Sequence, residues 1–175
     1  MRIPRIALLA ILAILSSFVL ISCTDGGREL TMIADFPVAG MAEPADTLNA
    51  AFDLGETSDG NGSFRIDAAE PLTVHLFTVE DVDVEGVPLM CEALVRTEDV
   101  DGHVYLSMVA HMDDGLGYPS RTTDSPLYGS NGWTEQDTSY ELDIGESPTR
   151  VEINLVINGT GTAWVDEVRL MAATG

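Results

Sequence analysis

The stretch from Val151 to Leu170, VEINLVINGTGTAWVDEVRL, constrains the fold of this chain more than any other. Val151, Ile153, Leu155 and Ile157 alternate with Glu152, Asn154, Val156 and Asn158, the period of a strand with one buried face. Asn158-Gly159-Thr160-Gly161 then offers residues that tolerate positive φ, and the spacing predicts a hairpin turn there. A second strand is expected over Thr162 to Leu170. Its Trp164, Val168 and Leu170 share a parity that would face a core, and Asp166 shares it too. A carboxylate in an apolar layer requires a cation or several hydrogen-bond donors.

The rest of the chain reads the same way. Strands are expected over Leu30–Phe36, Leu48–Leu54, Ser63–Asp67 and Pro71–Val79, with Glu56–Gly62 (ETSDGNG) and Glu80–Gly86 (EDVDVEG) as turns or loops. Pro88–Thr97 and Gly102–Met112 form a further pair, joined by a predicted hairpin turn at Glu98–Gly102. In the second of these, Val104, Leu106, Met108, Ala110 and Met112 share one face. His103, Tyr105, Ser107, Val109 and His111 share the other. Asp113–Asn131 reads as a long irregular loop, and Ser139–Ile144 as another strand. No amphipathic helix of useful length and no internal repeat is visible. Short strands separated by turn signals point to an all-β sandwich.

The run Gly132-Trp133, a following strand, and Gly159-Thr-Gly-Thr-Ala-Trp-Val-Asp-Glu-Val-Arg-Leu170 resemble the closing half of galactose-binding-like jelly-roll domains. That superfamily includes many carbohydrate-binding modules. As a pattern the resemblance covers roughly residues 48–171, and it implies a β-sandwich with jelly-roll topology. It also implies that Trp133 and Trp164 are core residues. A structural calcium is implied too, with Asp166 matching a ligand near the final tryptophan. The other ligands would come from near Asp53, Glu56 and the Asp59–Gly62 turn; the alternative for Asp166 is a bulge that supplies backbone N–H donors.

The N-terminus reads as an address. Arg2 and Arg5 precede an apolar run from Ile6 to Ile21, and Leu20-Ile21-Ser22-Cys23 resembles the lipobox of bacterial lipoproteins. The resemblance implies cleavage before Cys23, diacylglycerol on its sulfur, acylation of the new N-terminus and a lasting membrane anchor; the alternative is an uncleaved N-terminal anchor helix. Residues 1–22 are then a lipoprotein signal peptide, 23–47 the lipidated cysteine with a tether and first strand, and 48–175 the sandwich domain. By resemblance to enterobacterial lipoprotein sorting rules, Thr24 after the cysteine, rather than Asp, implies the outer membrane or cell surface of a bacterial envelope rather than the inner membrane.

Charge excludes one class of partner. The chain carries 29 acids against 8 bases, every base an arginine, for a net charge of −21. Such a surface repels nucleic acid. The acidity fits a salty habitat, a solvated face or oxygen ligands for divalent cations. With Cys23 lipidated, Cys91 is left alone. Its parity with Leu89, Ala93 and Val95 makes it a small core residue.

No nucleophile elbow, zinc-protease motif or phosphate loop is present, so no enzyme is expected. The three histidines are His75, His103 and His111. His103 and His111 would lie about 26 Å apart along one strand, too far to share a metal. Sugar sites pair aromatic faces with hydroxyl-reading polar groups. The candidates are Tyr105, His103 and His111 on one strand face, with Tyr118, Arg121 and Tyr128 from the long loop. The expectation is a membrane-anchored, non-catalytic module that binds carbohydrate. The alternative is a structural module that docks an envelope protein.

Overall fold

The computed structural model describes residues 24–25, 28–39, 43–121, 125–143 and 145–174. Among them there is no helix. Nine antiparallel strands run in chain order: β1 (Thr24–Asp25), β2 (Arg28–Phe36), β3 (Ala51–Asp53), β4 (Ser63–Ala68), β5 (Leu72–Glu80), β6 (Leu89–His111), β7 (Gly117–Arg121), β8 (Leu127–Tyr140) and β9 (Arg150–Thr174).

β6 and β9 dominate. They pair antiparallel from Leu89↔Ala172, through Gly102↔Gly159, to His111↔Arg150. Both predicted hairpin turns are therefore corrected. Glu98–Gly102 and Asn158–Gly161 lie inside two continuous strands, and their glycines face each other across one ribbon. Gly102 (φ 124°) and Gly159 (φ 150°) adopt backbone that other residues avoid. A Cβ on either would strike the partner strand, at the carbonyl oxygen of Asn158 or of Asp101. Positive φ here serves close backbone approach within a ribbon, not chain reversal.

Each half of the ribbon carries its own neighbours. β2 and β4 pair along Gly161–Thr174, β3 extends the β4 edge, and β8 follows β6 from Leu89 past the bend to Val104. β5 and β7 pair along Ser107–His111 and Arg150–Ile157. The inner faces of the two halves close on a single apolar cluster that includes Phe64, Ile66, Cys91, Val95, Leu106, Met108, Ile153, Leu155, Val165 and Leu170. Phe77 of β5 stacks on Phe36 of β2 at 4.1 Å and meets Phe64 of β4 at 5.9 Å, stitching the halves together. Each fully buried aliphatic or aromatic side chain contributes about 1.5–3 kcal/mol, so this layer rather than any polar contact drives closure.

Two bulges set which residues face inward. On β6, Asp99 and Val100 together oppose the single residue Gly161 of β9, with Asp99 at φ 52°. The buried parity switches from Leu89, Cys91, Ala93 and Val95 to Val104, Leu106, Met108 and Ala110. On β9 a second bulge opposes Glu92–Leu94, with Glu167 at φ 48°. Ala163 and Val165 join the core before it, Val168 and Leu170 after it. Trp164 and Asp166 therefore face outward, a correction to the shared parity expected from the sequence. Trp133 also lies outside the core cluster, half-buried where β8 carries an extra residue opposite Arg96.

Cys91 is fully buried as expected, and burial pushes its thiol pKa up. Other boundaries shift. Only Ala51–Asp53 of the expected Leu48–Leu54 strand is extended, and the long loop contains β7 and the start of β8. Of the expected Ser139–Ile144 strand only Ser139 and Tyr140 are extended, as the end of β8; residues 141–143 are not strand, and Ile144 lies outside the described residues. The expected tether also changes character, because Thr24 pairs with Glu29 and Asp25 with Arg28. Replacing Gly159 with alanine should cost about 1–3 kcal/mol or more through positive φ and collision at the bend. Urea denaturation checks this through a lower midpoint at an unchanged slope.

Candidate functional site

Two outward-facing regions bring chemistry together. The first lies on β9 beside the second bulge. Trp164 is only 2% exposed although it faces away from the core. Its cross-strand neighbours are Arg65 on β4 and Arg96 on β6. Their guanidinium carbons sit 5.4 and 4.8 Å from the ring centroid, a pair of cation–π contacts. The indole Nε1–H donates to Asp53 Oδ2 at 2.9 Å. That bond, followed by one from the Gly55 N–H, holds the Asp53 carboxyl below the usual carboxylate range. The segment after β3 thus folds over the tryptophan as a lid.

Asp166 is 1% exposed beneath the same lid. Its Oδ2 accepts from the Ser58 N–H at 3.2 Å and the Ser58 hydroxyl at 2.6 Å, and its Oδ1 from the Glu167 N–H at 2.8 Å. Three donors answer the burial problem posed by its carboxylate. Glu56 reaches toward Arg96 at 3.5 Å. The expected calcium ligands Asp166, Asp53 and Glu56 are thus turned to serine and backbone, to tryptophan, and to arginine. Among the described residues no group of three or more His, Cys, Asp or Glu side chains is placed to hold a metal ion. As arranged, the three carboxylates do not fit a calcium centre; they hold the lid.

The second region lies at the bend. On the outer face of the β5–β9–β6–β7 half, His103 stacks on Tyr105 with centroids 5.7 Å apart and meets Tyr128 of β8 at 5.8 Å. Tyr128 is 64% exposed. The β8 residues just beyond it, Ser130 to Gly132, line a cleft of about 270 Å³ with Arg96, Thr97, Glu98 and Asp99. Asn131 Nδ2 donates to Thr97 Oγ1 at 2.9 Å and to the Tyr128 carbonyl at 2.8 Å, and Ser130 Oγ accepts from the Asp99 N–H at 2.9 Å. Arg96 Nη1 is buried and faces Glu56 Oε2 at 3.5 Å as an ion pair rather than a hydrogen bond. An aromatic surface and a polar cleft thus share one short segment of β8. The cleft residues Arg96, Thr97, Ser130 and Asn131 escape sequence reasoning, because only the register at the bulges brings them together.

The other expected ligand residues disperse. His111 lies at the far end of β6, with Nε2 3.1 Å from Glu152 Oε1, which Arg150 also meets at 3.1 Å. Tyr118 pairs opposite Ala110, on the reverse face of the sheet from Tyr105. Its hydroxyl donates to Asp114 Oδ2 at 2.7 Å, which raises its pKa. Arg121 pairs by its backbone with Ser107. His75 belongs to the Tyr105 face by register, but its Nε2 lies 2.9 Å from Thr78 Oγ1 and 3.0 Å from the Phe77 carbonyl oxygen. Cys23 lies outside the described residues.

No family model matches the chain, and no curated protein sequence matches it. Solved structures do. The CBM22-1 xylan-binding domain of Xyn10C from Paenibacillus barcinonensis superposes with a TM-score of 0.60 at 9% identity, covering 83% of this chain and 96% of that one. The C-terminal family 22 carbohydrate-binding module of Clostridium thermocellum Xyn10B gives 0.55 at 12% identity, covering 81% and 93%. A family 16 carbohydrate-binding module gives 0.53 at 8% identity, covering 73% and 88%. The likeness is one of fold, and it bears out the jelly-roll β-sandwich implied by the sequence resemblance.

Substituting Trp164 with phenylalanine leaves Asp53 without its indole donor and should destabilise the chain by about 1–3 kcal/mol. The pH profile supplies the sign. A carboxyl depressed on folding contributes stability that is present above its unfolded pKa, near 3.9, and lost as pH falls through the lower folded value. The substitution should therefore shrink the acid-side loss of stability, read by denaturation at a series of pH values from neutral to below 3.

Proposed function

We propose that this chain is a non-catalytic carbohydrate-binding module presented on a bacterial envelope. The reading rests on exposed Tyr128 with half-buried His103 and Tyr105, and on the polar cleft at Arg96, Thr97, Ser130 and Asn131 that the same segment of β8 lines. Aromatic faces bind the apolar C–H face of a sugar ring, and the cleft supplies donors and acceptors for its hydroxyls. Arg96, held over Trp164 and ion-paired with Glu56, is the cationic group of the cleft lining. Support at the level of the fold comes from structural neighbours described as xylan-binding. The net charge of −21 favours a neutral glycan over a polyanionic one. The lipobox supports export and lipid anchoring through Cys23 at the outer membrane or cell surface. Cys23→Ala should then move the protein from the membrane fraction to the soluble fraction of its host.

A second reading is docking to an envelope protein. It is favoured by Leu48, at 93% exposure, and Leu54, at 71%, which flank β3, and by exposed Phe52 within it.

Calorimetry against neutral xylo- and gluco-oligosaccharides, with a polyuronate as control, separates the two readings. The glycan reading expects saturable binding to a neutral chain. It also expects Tyr128→Ala to weaken that binding roughly tenfold, about 1.4 kcal/mol, with Tm unchanged because the side chain is exposed. Absence of binding by the folded protein, or an unaltered affinity in both Tyr128→Ala and Tyr105→Ala, overturns the glycan reading in favour of docking.

A further inference from the structure

Three methionines stand in one cross-strand row on the outer face, at the end of β6 away from the bend. Met171 of β9 pairs with Met32 of β2 on one side and with Met90 of β6 on the other. The adjacent residues Leu89 and Ala172 are core members, so the alternation of the strands turns Met90 and Met171 outward. Met32 is 49% exposed at the edge of the row, while Met171 between its neighbours is 6% exposed. Neighbouring strands lie about 4.8 Å apart. A thioether on three rotatable bonds spans that distance easily, so the three sulfurs can close around one point above Met171.

The surroundings set the charge. The next outward row holds Glu92, Arg169 and Asp35. Arg169 is engaged by Glu167 at 2.7 Å and Asp35 at 3.7 Å, so two carboxylates share one guanidinium beside the sulfurs. Thioether sulfur is a soft, uncharged donor that selects soft monovalent ions over hard divalent ones. Nearby acid adds long-range attraction for a cation.

We propose that Met32, Met90 and Met171 form a binding site for copper(I). The site is independent of the glycan reading, since it lies at the start of β6, on the other side of the bend from Tyr105. Simple apolar packing is the competing explanation, and leucine would serve that equally well. Methionine-to-leucine substitution therefore separates the two, because it keeps volume and apolarity while removing the sulfur.

The test uses the full chain carrying Cys23→Ser, in detergent and under anaerobic reducing conditions. Copper(I) is presented as its complex with the coloured chelator bicinchoninate. Cys91 is fully buried and does not compete in the folded protein. The expected result is withdrawal of one equivalent of copper(I) from the chelator. Met171→Leu should weaken it at least tenfold, Met32→Leu and Met90→Leu should each weaken it, and Met108→Leu in the core should leave it intact. Millimolar calcium should not displace the ion. Failure to withdraw copper(I), equal affinity in Met171→Leu at unchanged thermal stability, or displacement by calcium would each overturn the assignment.

Discussion

The facing glycines Gly102 and Gly159 are the constraint on which the rest depends. Two strands of more than twenty residues each run side by side through a bend that only backbone without Cβ permits. Because the ribbon is continuous, both halves of the sandwich belong to one hydrogen-bonded sheet, and their inner faces meet on one apolar cluster. Pairing resumes at Asp101↔Thr160 and runs through Gly102↔Gly159, and the bulged Asp99 N–H donates to Ser130 Oγ instead of β9.

The bulges turn that ribbon into a functional surface. Asp99 and Glu167 each hold a positive φ, and each reverses which residues of a strand look outward. At Glu167 this places Trp164 and Asp166 outside the core, where Asp53, Ser58 and two arginines enclose them. At Asp99 it places the chain so that Ser130 meets the bulge amide and Asn131 meets Thr97. Local strain in each case is offset by hydrogen bonds from a distant segment.

The outer faces divide the labour along the length of β6. The bend end carries exposed aromatic rings beside a polar cleft. The opposite end carries thioethers beside an acid-rich row, and His111 with Glu152 and Arg150 marks the tip of the other half. Rigid strands position each group, so the spacing between them is fixed by register rather than by loop conformation.

Strand content and most buried residues were legible in the sequence because a strand alternates with a period of two. Leu89 to Val95, Val104 to Ala110 and Val151 to Ile157 announce their inward faces without reference to the rest of the chain. The resemblance of the closing stretch added the jelly-roll sandwich. Other features depended on what each residue met across the sheet. The sequence of Asn158–Gly161 is equally suited to a turn and to close contact, and only the presence of Gly102 opposite Gly159 decides. Periodicity likewise predicts that Trp164 and Val168 share a face, until one bulged residue between them reverses it. Tyr118 and Tyr105 were separated, and Arg96 and Asn131 joined, by register alone. Local chemistry sets a residue's preference for strand and burial, whereas partner, face and site are pairwise properties that exist only once distant strands have aligned.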